Sequence, residues 1–512
     1  MATRKAAATG IVAGRRRGAA GLLVAILALS SFTHIWNPAG FPDVFYDEGV
    51  YMRRAMHILA GGEGVQEPGT YYDHPYFGQI MLAAVLWLAG YAPGNGSVLP
   101  PSADAASVAG LYAVPRAFMG ILSVIDTLLI YGIAERRYGS RTAIIASALF
   151  AVMPFTWITR RVLLDSMMLP FILGSVFFAV RAADDNNNSG RKKHAFIILS
   201  GVLLGTAVFT KAPAALFAPF VGYLVIKAVA ATAAGWRQKL AGLAAWLAPA
   251  AAIPALWPLV AMARGQLAYW QAGVLRQAGR SGDFPRFVQT FAAADPVLFA
   301  LGSAGLAFAV ARRDCALLLW AGPFLAFLAS GVYLQYFHWM ALLPVFCIAG
   351  GLLLGRVADY RPEVAWPAVA GILAFGLAST AMLVSLDLSS AQFAAVSYVL
   401  ETTAGDDGEN NTIVVSSPSY SWIFIHSGRD ALLDYRDAMF RPLKAGKEVV
   451  LVVDGHFRDN MGESGKLQAL YDSTVTAATF EGKAREYDMN RYPYTSLRTP
   501  QDGRLVEVRM AR

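Results

Sequence analysis

GAAGLLVAILALSSFTHIWNPAGFPDVFYDEGVYMRRA, residues 18–55, is an apolar run followed within a few residues by a knot of acidic, aromatic and basic side chains. A helix needs roughly 20 apolar residues to cross about 30 Å of hydrocarbon, and 18–36 supplies them. Arg15, Arg16 and Arg17 precede the run, so the positive-inside rule puts its start in the cytoplasm. Asp47 and Glu48 then emerge on the opposite side, which predicts a catalytic carboxylate at the outer surface of a membrane.

The rest of the chain extends this reading. Its 512 residues are 56% hydrophobic and 15% charged, with a mean hydropathy of +0.44, the profile of a polytopic membrane protein. Further segments of spanning length lie at about 107–134, 141–160, 163–182, 195–211, 213–232, 240–262, 292–311, 315–333, 337–356 and 364–386, for about eleven spans. Basic clusters at Arg136–Arg137, Arg191–Lys193, Arg237 with Lys239, Arg312–Arg313 and Arg356 with Arg361 fall in every second connection, which the same rule makes cytoplasmic. Residues 75–92 are also apolar, but a span there would invert every later loop. They are expected to form a juxtamembrane or re-entrant helix, a twelfth span being the alternative. The first apolar run is expected to be a retained anchor and not a cleaved signal peptide.

The predicted organisation is a cytoplasmic N-terminus (1–17), a membrane domain (18–387) whose first outer loop is 37–106, and an outer C-terminal domain (388–512). In the last part TIVVSS, EVVLVVD and RLVEVRM are short β-branched runs, which predict a small α/β domain. The fold class is therefore mainly α and polytopic, placed in the plasma membrane with the N-terminus inside and the C-terminal domain outside.

Several function classes fall away. The net charge of +8 resides beside spans, where topology and anionic head groups account for it, so no nucleic-acid partner is expected. Cys315 and Cys347 sit in apolar segments and form neither a disulfide framework nor a zinc spacing. There is no phosphate-binding GxxxxGK[ST] and no GxGxxG in a strand-to-helix context. No cofactor is expected. A divalent ion on Glu67, Asp73 or His74 suits the chemistry of those donors, but no tight ligand spacing supports it. The triplets at Asn95, Asn187 and Asn410 are weak glycosylation matches.

The outer ends collect cations on the side where cations are scarce: Arg53, Arg54, Arg116, Arg160, Arg161, Lys211, Arg264, Arg276, Arg280 and Arg286. An anion at head-group level that needs both guanidinium forks and an ammonium points to a lipid phosphate. A sugar on such a phosphate is already activated, because preorganised cations neutralise the leaving group. One carboxylate then suffices to deprotonate an acceptor hydroxyl. A transporter or flippase of an anionic lipid or solute would use the same cations, yet would want charges at mid-membrane in paired halves. Asp126 is one such charge, without a second half. An assembly protein working through its outer domain would leave the first-loop pattern without a purpose.

Five stretches in order, YDEGVYMRRAMHILAGGEG, YYDHPYFGQI, TRRVLLDSMMLPF, FTKAP and YFHWMALLP, resemble the polyprenyl-phosphate-dependent glycosyltransferases of the GT-C fold, chiefly the protein O-mannosyltransferases and the aminoarabinose transferases of lipid A. The resemblance covers roughly residues 18–350. It implies a donor in which a single sugar is linked to polyprenyl or dolichyl monophosphate, with Asp47 as general base and Glu48 as its companion. It places Arg160 and Asp165 on an Arg-x-x-Leu-Leu-Asp element and Lys211 on a Thr-Lys-x-Pro element near the donor phosphate. Arg116 corresponds loosely to an arginine ahead of the second span, and Arg276 and Arg280 are further phosphate candidates. Asp73, His74, Tyr336 and His338 are expected to shape the acceptor side. Tyr76 and Phe77 depart from the Pro-Leu that follows His-Pro in the family, and no Trp-Trp-Asp occurs in the outer domain, which argues against en bloc glycan transfer.

Simpler roles compete for the same residues. Asp47 and Glu48 suit the first turn of a helix, Asp73 and His74 suit a turn before Pro75, and arginines near span ends snorkel to head groups.

Overall fold

The computed structural model describes residues 2–61, 64–68, 70–91, 99, 103–184, 190–231, 235–404, 412–440, 447–462, 465–485 and 503–511. The Asn95, Asn187 and Asn410 triplets begin outside these residues. The membrane domain is built from α1 (Ala2–Ile35), α2 (Tyr46–Leu59), α3 (Phe77–Leu88), α4 (Ala105–Tyr138), α5 (Ser140–Val152), α6 (Leu164–Asp184), α7 (Gly190–Thr210) and α8 (Ala218–Ala230). It continues with α9 (Trp236–Ala263), α10 (Leu267–Ala278), α11 (Phe284–Ala294), α12 (Pro296–Ala311), α13 (Cys315–Ala329), α14 (Leu343–Tyr360) and α15 (Pro362–Val384).

Among the described residues eight helices are long and apolar enough to cross a membrane, or ten if each of two bent pairs is one span. The expected eleven is thus too many, for reasons visible in the chain. Segment 141–160 breaks after Val152: α5 and the 3-10 helix Pro154–Arg160 meet at 69°. Proline at a helix start has no N–H to continue the preceding ladder. Asp295–Pro296 does the same between α11 and α12, which meet at 115°. Helix α13 is 15 residues long. Helix α3, within the ambiguous 75–92, has 12 residues and rises about 18 Å, less than the hydrocarbon thickness.

Close helix approach is bought with glycine. A Cβ on Gly201 of α7 would lie 2.2 Å from the Trp246 carbonyl oxygen of α9, so only a residue without one permits that crossing.

The C-terminal domain comprises α16 (Ser390–Thr402), β1 (Thr412–Val415), α17 (Pro418–His426), α18 (Asp437–Phe440), β2 (Glu448–Val453), α19 (Gly455–Met461), α20 (Gly465–Asp472), β3 (Thr474–Arg485) and β4 (Gly503–Ala511). The sheet order is β1-β2-β4-β3, with β1 and β2 parallel and the other pairs antiparallel. The three β-branched runs are β1, β2 and β4. Strand β3, TVTAATFEGKAR, stands at the sheet edge, paired on one side with β4.

This domain is seated on the membrane core through α17 against α2. Gly49 makes the contact: a Cβ there would stand 2.0 Å from the Pro418 carbonyl oxygen. Tyr112 of α4 donates to the Ser419 carbonyl and accepts from Trp422 Nε1 at 2.9 Å. Arg116 lies on this face of the bundle. Arg137, 21 residues further along the same helix, lies about 31 Å away on the opposite face.

Candidate active site

Adjacent residues on a helix diverge by about 100°, and α2 uses this to send its two carboxylates into different environments. Asp47, Tyr51 and Arg54 recur at helical spacing and form one stripe. Glu48 lies off that stripe and points inward.

Glu48 is fully buried and its carboxylate is saturated. Oε1 accepts from Arg116 Nε and the Val162 amide, both at 3.0 Å. Oε2 accepts from Arg116 Nη2 at 2.7 Å, Phe45 N at 3.0 Å and Arg161 Nη1 at 3.3 Å. Burial pushes this acid up, but Arg116, Arg161 and the Val162 amide outweigh it and hold it below its usual range. Arg161 also binds Asp43 at 2.6 Å, and Arg116 donates to the carbonyls of Pro42 and Asp43 at 2.6 and 2.8 Å. Glu48 and Arg116 therefore do not face a substrate. They fasten the segment ahead of α2 and the start of α2 to α4 and to the break after α5.

Arg160 is also corrected. Its guanidinium donates to the carbonyls of Thr33, Trp36 and Asn37 and lies 5.3 Å from the Phe41 ring centre. These carbonyls end α1, where basic side chains serve as caps. With this orientation Arg160 does not join Lys211. Tyr336 turns the same way: it is buried, with Arg161 5.9 Å from its ring, beside Trp157 and Phe45.

The Asp47 stripe meets a second cluster. Lys211 Nζ binds Asp165 at 2.6 Å, and lies 5.1 Å from the Phe337 ring. Arg54 grips both oxygens of Asp73 at 2.8 and 3.1 Å, a bidentate pair. Asp73 is consequently held at about 2, burial being more than offset by Arg54. Arg53 binds Glu67 in the same manner at 2.7 and 3.1 Å. Glu67 and Asp73, two of the three donors considered for a divalent ion, thus already have cation partners. Among the described residues no three His, Cys, Asp or Glu converge on one ion.

Asp47 differs from every other acid in this cluster. Among the described residues it has no hydrogen bond or ion pair, although Lys211 and Arg280 act on it at longer range. Burial raises it from 3.8 to about 6; Lys211 pulls it down, and Asp73 and Asp165 push it up. His74 is lowered to about 4, first by burial and then by Lys211, Arg54 and Arg280 against Asp73. His338 is held well below 6.5, by burial and then Lys211, His74 and Arg280. Its Nδ1 accepts the Gln335 amide at 3.2 Å, so the neutral ring carries its proton on Nε2.

Of the loop arginines, Arg280 acts on Asp47, His74 and His338 and lies 3.4 Å from the Tyr333 ring centre, while Arg276 stacks on Tyr71 at 4.0 Å. Tyr51, which feels Asp47, Asp73 and Asp165, was missed in the sequence, and Arg54 was counted there only among the outer cations without a role at the site. The helical spacing from Asp47 was a signal for both. Tyr46, directly beside Asp47 and also missed, hydrogen-bonds Asp434 and Arg436 of the C-terminal domain.

The arrangement supplies an unpaired carboxylate, neutral imidazoles and cations on one membrane face of a helical bundle capped by an α/β domain. Residues 24–264, just under half of the chain, match the family model described as dolichyl-phosphate-mannose-protein mannosyltransferase. The fold is the one shared by the GT-C class of membrane glycosyltransferases. Among solved structures, ArnT from Cupriavidus metallidurans bound to undecaprenyl phosphate covers 96% of this chain and 98% of its own, with a TM-score of 0.59 and 14% identity. The Archaeoglobus fulgidus oligosaccharyltransferase in the apo form covers 92% and 75%, with a TM-score of 0.57 and 15% identity. The same organism's AglB in complex with an inhibitory peptide and a dolichol-phosphate covers 85% and 69%, at 0.54 and 14%. At such identities the likeness is one of fold. A search of curated protein sequences finds no match.

Proposed function

We propose that the chain transfers one sugar from a polyprenyl or dolichyl monophosphate carrier to an acceptor hydroxyl on the non-cytoplasmic side of the plasma membrane. The observation that carries this reading is Asp47: a carboxylate without a partner, set against the Lys211–Asp165 pair and Arg280. Asp47 removes the acceptor proton as the acceptor oxygen attacks the anomeric carbon. The bond from that carbon to the phosphate oxygen breaks, and its electron pair leaves with the lipid phosphate, whose charge Lys211 and Arg280 neutralise. Attack on one face and departure from the other invert the anomeric centre without a covalent enzyme intermediate. His74 and His338, neutral at working pH, offer hydrogen bonds to sugar or acceptor without adding charge.

The orientation rests on Arg312, Arg313 and Arg356 and the other basic clusters at the bundle end remote from the C-terminal domain. They support a cytoplasmic N-terminus and an outer C-terminal domain. The match to ArnT with undecaprenyl phosphate and to AglB with dolichol-phosphate supports a polyprenyl monophosphate carrier.

The test is to give purified protein in lipid nanodiscs a panel of labelled prenyl-phosphate sugars, with native protein beside Asp47→Asn. Label transferred by the native protein and not by the variant is the expected result. Equal transfer by both removes Asp47 from the role.

A further inference from the structure

At the end of α4 remote from Arg116, helix ends line a polar hollow of about 780 Å³. Six cations line it: Arg137 from the end of α4, Arg141 from the start of α5, Lys227 of α8, Arg312 and Arg313 from the turn between α12 and α13, and Arg356 of α14. The only acids in the lining are Asp314 and Asp359, leaving an excess of four positive charges. Both acids are committed. Asp359 pairs with Arg141 and, at 3.5 Å, with Arg356. Asp314 caps α13 by accepting from the Ala316 and Leu317 amides at 3.0 and 3.3 Å. Arg137, Lys227, Arg312 and Arg313 have no carboxylate partner among the described residues.

Orientation of a membrane protein requires basic residues on the correct side, but not their convergence. Here they come from four helices and one interhelical turn to one hollow. Arg313 adds a second observation: its φ is +56°, the left-handed conformation at a helix end that glycine ordinarily fills. A side chain kept where glycine is easier points to a use for that side chain. In addition, α5 starts at Gly139 without a side-chain cap and with no acid in its first turn, so its free amides face an anion's requirements as well.

We propose that this hollow binds the phosphate-bearing head group of an anionic membrane lipid. Phosphate oxygens match guanidinium forks and free amides, and basic pockets between helices at this level of a bilayer suit such head groups. Bilayer lipid reaches the hollow sideways, with its chains along the exposed surfaces of the helices. The bound head group ties together the remote ends of helices that carry the reaction site: α4 holds Arg116, α5 leads to Arg161, and α8 follows Lys211.

The test uses the full chain in nanodiscs of phosphatidylcholine alone or with phosphatidylglycerol, reading retained lipid by native mass spectrometry and Tm by intrinsic fluorescence. Native protein is expected to retain phosphatidylglycerol selectively and to gain Tm from it. Lys227→Gln with Arg312→Gln should weaken retention about fivefold for each cation removed. Arg313→Gly should lose the gain from phosphatidylglycerol while keeping or raising Tm in phosphatidylcholine, which separates lost binding from lost folding. Arg237→Gln, outside the hollow at the start of α9, serves as the control and should behave as native. Equal loss in that control, or no preference for phosphatidylglycerol in native protein, overturns the proposal. A Tm gain from inorganic pyrophosphate in phosphatidylcholine discs, with none from phosphatidylglycerol, overturns the lipid as its source.

Discussion

Replacing Asp47 by Asn should stabilise the protein while stopping its chemistry, and both effects follow from the same burial. In the folded protein this acid is raised from 3.8 to about 6. A difference of about 2.2 units corresponds to about 3 kcal/mol at 1.36 kcal/mol per unit. Its sign follows from proton linkage: the folded state holds the proton more tightly than the unfolded state, so stability falls as pH rises from about 4 to about 6. Above pH 6 the full cost of the buried charge is present; below pH 4 it is absent. Asn avoids that cost, so its advantage should be about 3 kcal/mol at pH 7 and should vanish towards pH 4. For a chain of this length, the usual entropy of unfolding converts this to a rise in Tm of about 3 °C. Turnover should fall by about 10²–10⁴, the usual worth of a general base. The assay pairs thermal unfolding in nanodiscs at several pH values with sugar transfer. An unchanged Tm at pH 7, or a gain of the same size at pH 4, would refute the electrostatic account, and normal turnover would refute the catalytic one.

The pH profile of transfer should rise with unit slope through about pH 6 as Asp47 ionises, with no later falling limb from His74 or His338, which are already neutral there. Lys211→Met removes a cation that lowers the Asp47 pKa, so the profile's midpoint should move upward while donor KM rises; steady-state kinetics across pH would show both. Glu48→Gln leaves Arg116 and Arg161 short of a buried counter-charge and should cost about 3–5 kcal/mol, visible as lost monodisperse protein on size-exclusion chromatography. Gly49→Ala forces α17 away from α2, at about 1–3 kcal/mol. Limited proteolysis should then release the outer domain more readily, with turnover falling because Tyr46 loses Asp434 and Arg436.

Sequence carried the membrane class and the small C-terminal α/β domain well, because each depends on local composition, but it set Lys211 and Asp165 on separate motifs without pairing them. It reached Asp47 through its place after the first span. What it missed depends on rotation about a helix axis and on distant partners. Glu48 and Asp47 are chemically equivalent neighbours, and only the facing of α2 makes one a saturated hub and leaves the other a carboxylate without a hydrogen-bond or ion-pair partner among the described residues. Arg160 and Arg161 were separable only through the turn that follows Met153, which sends one to the end of α1 and the other to Asp43. Arg116 lies on the part of α4 nearest the C-terminal domain, and its partner Glu48 lies 68 residues away in the chain. Strand β3 escaped notice because its β-branched start, Thr474 to Thr476, passes into alanines and charged residues without a sustained apolar run.

The divergence of Asp47 and Glu48 also limits how this chain can change in length. One residue inserted between Asp43 and Asp47 would slip α2 by about 100°, carrying a different side chain into the socket formed by Arg116 and Arg161. Point substitutions in this stretch can be judged singly, whereas insertions and deletions disturb anchor and base together. Among descendants of this sequence, the spacing from Asp43 to Glu48 should therefore stay constant even where the intervening side chains vary.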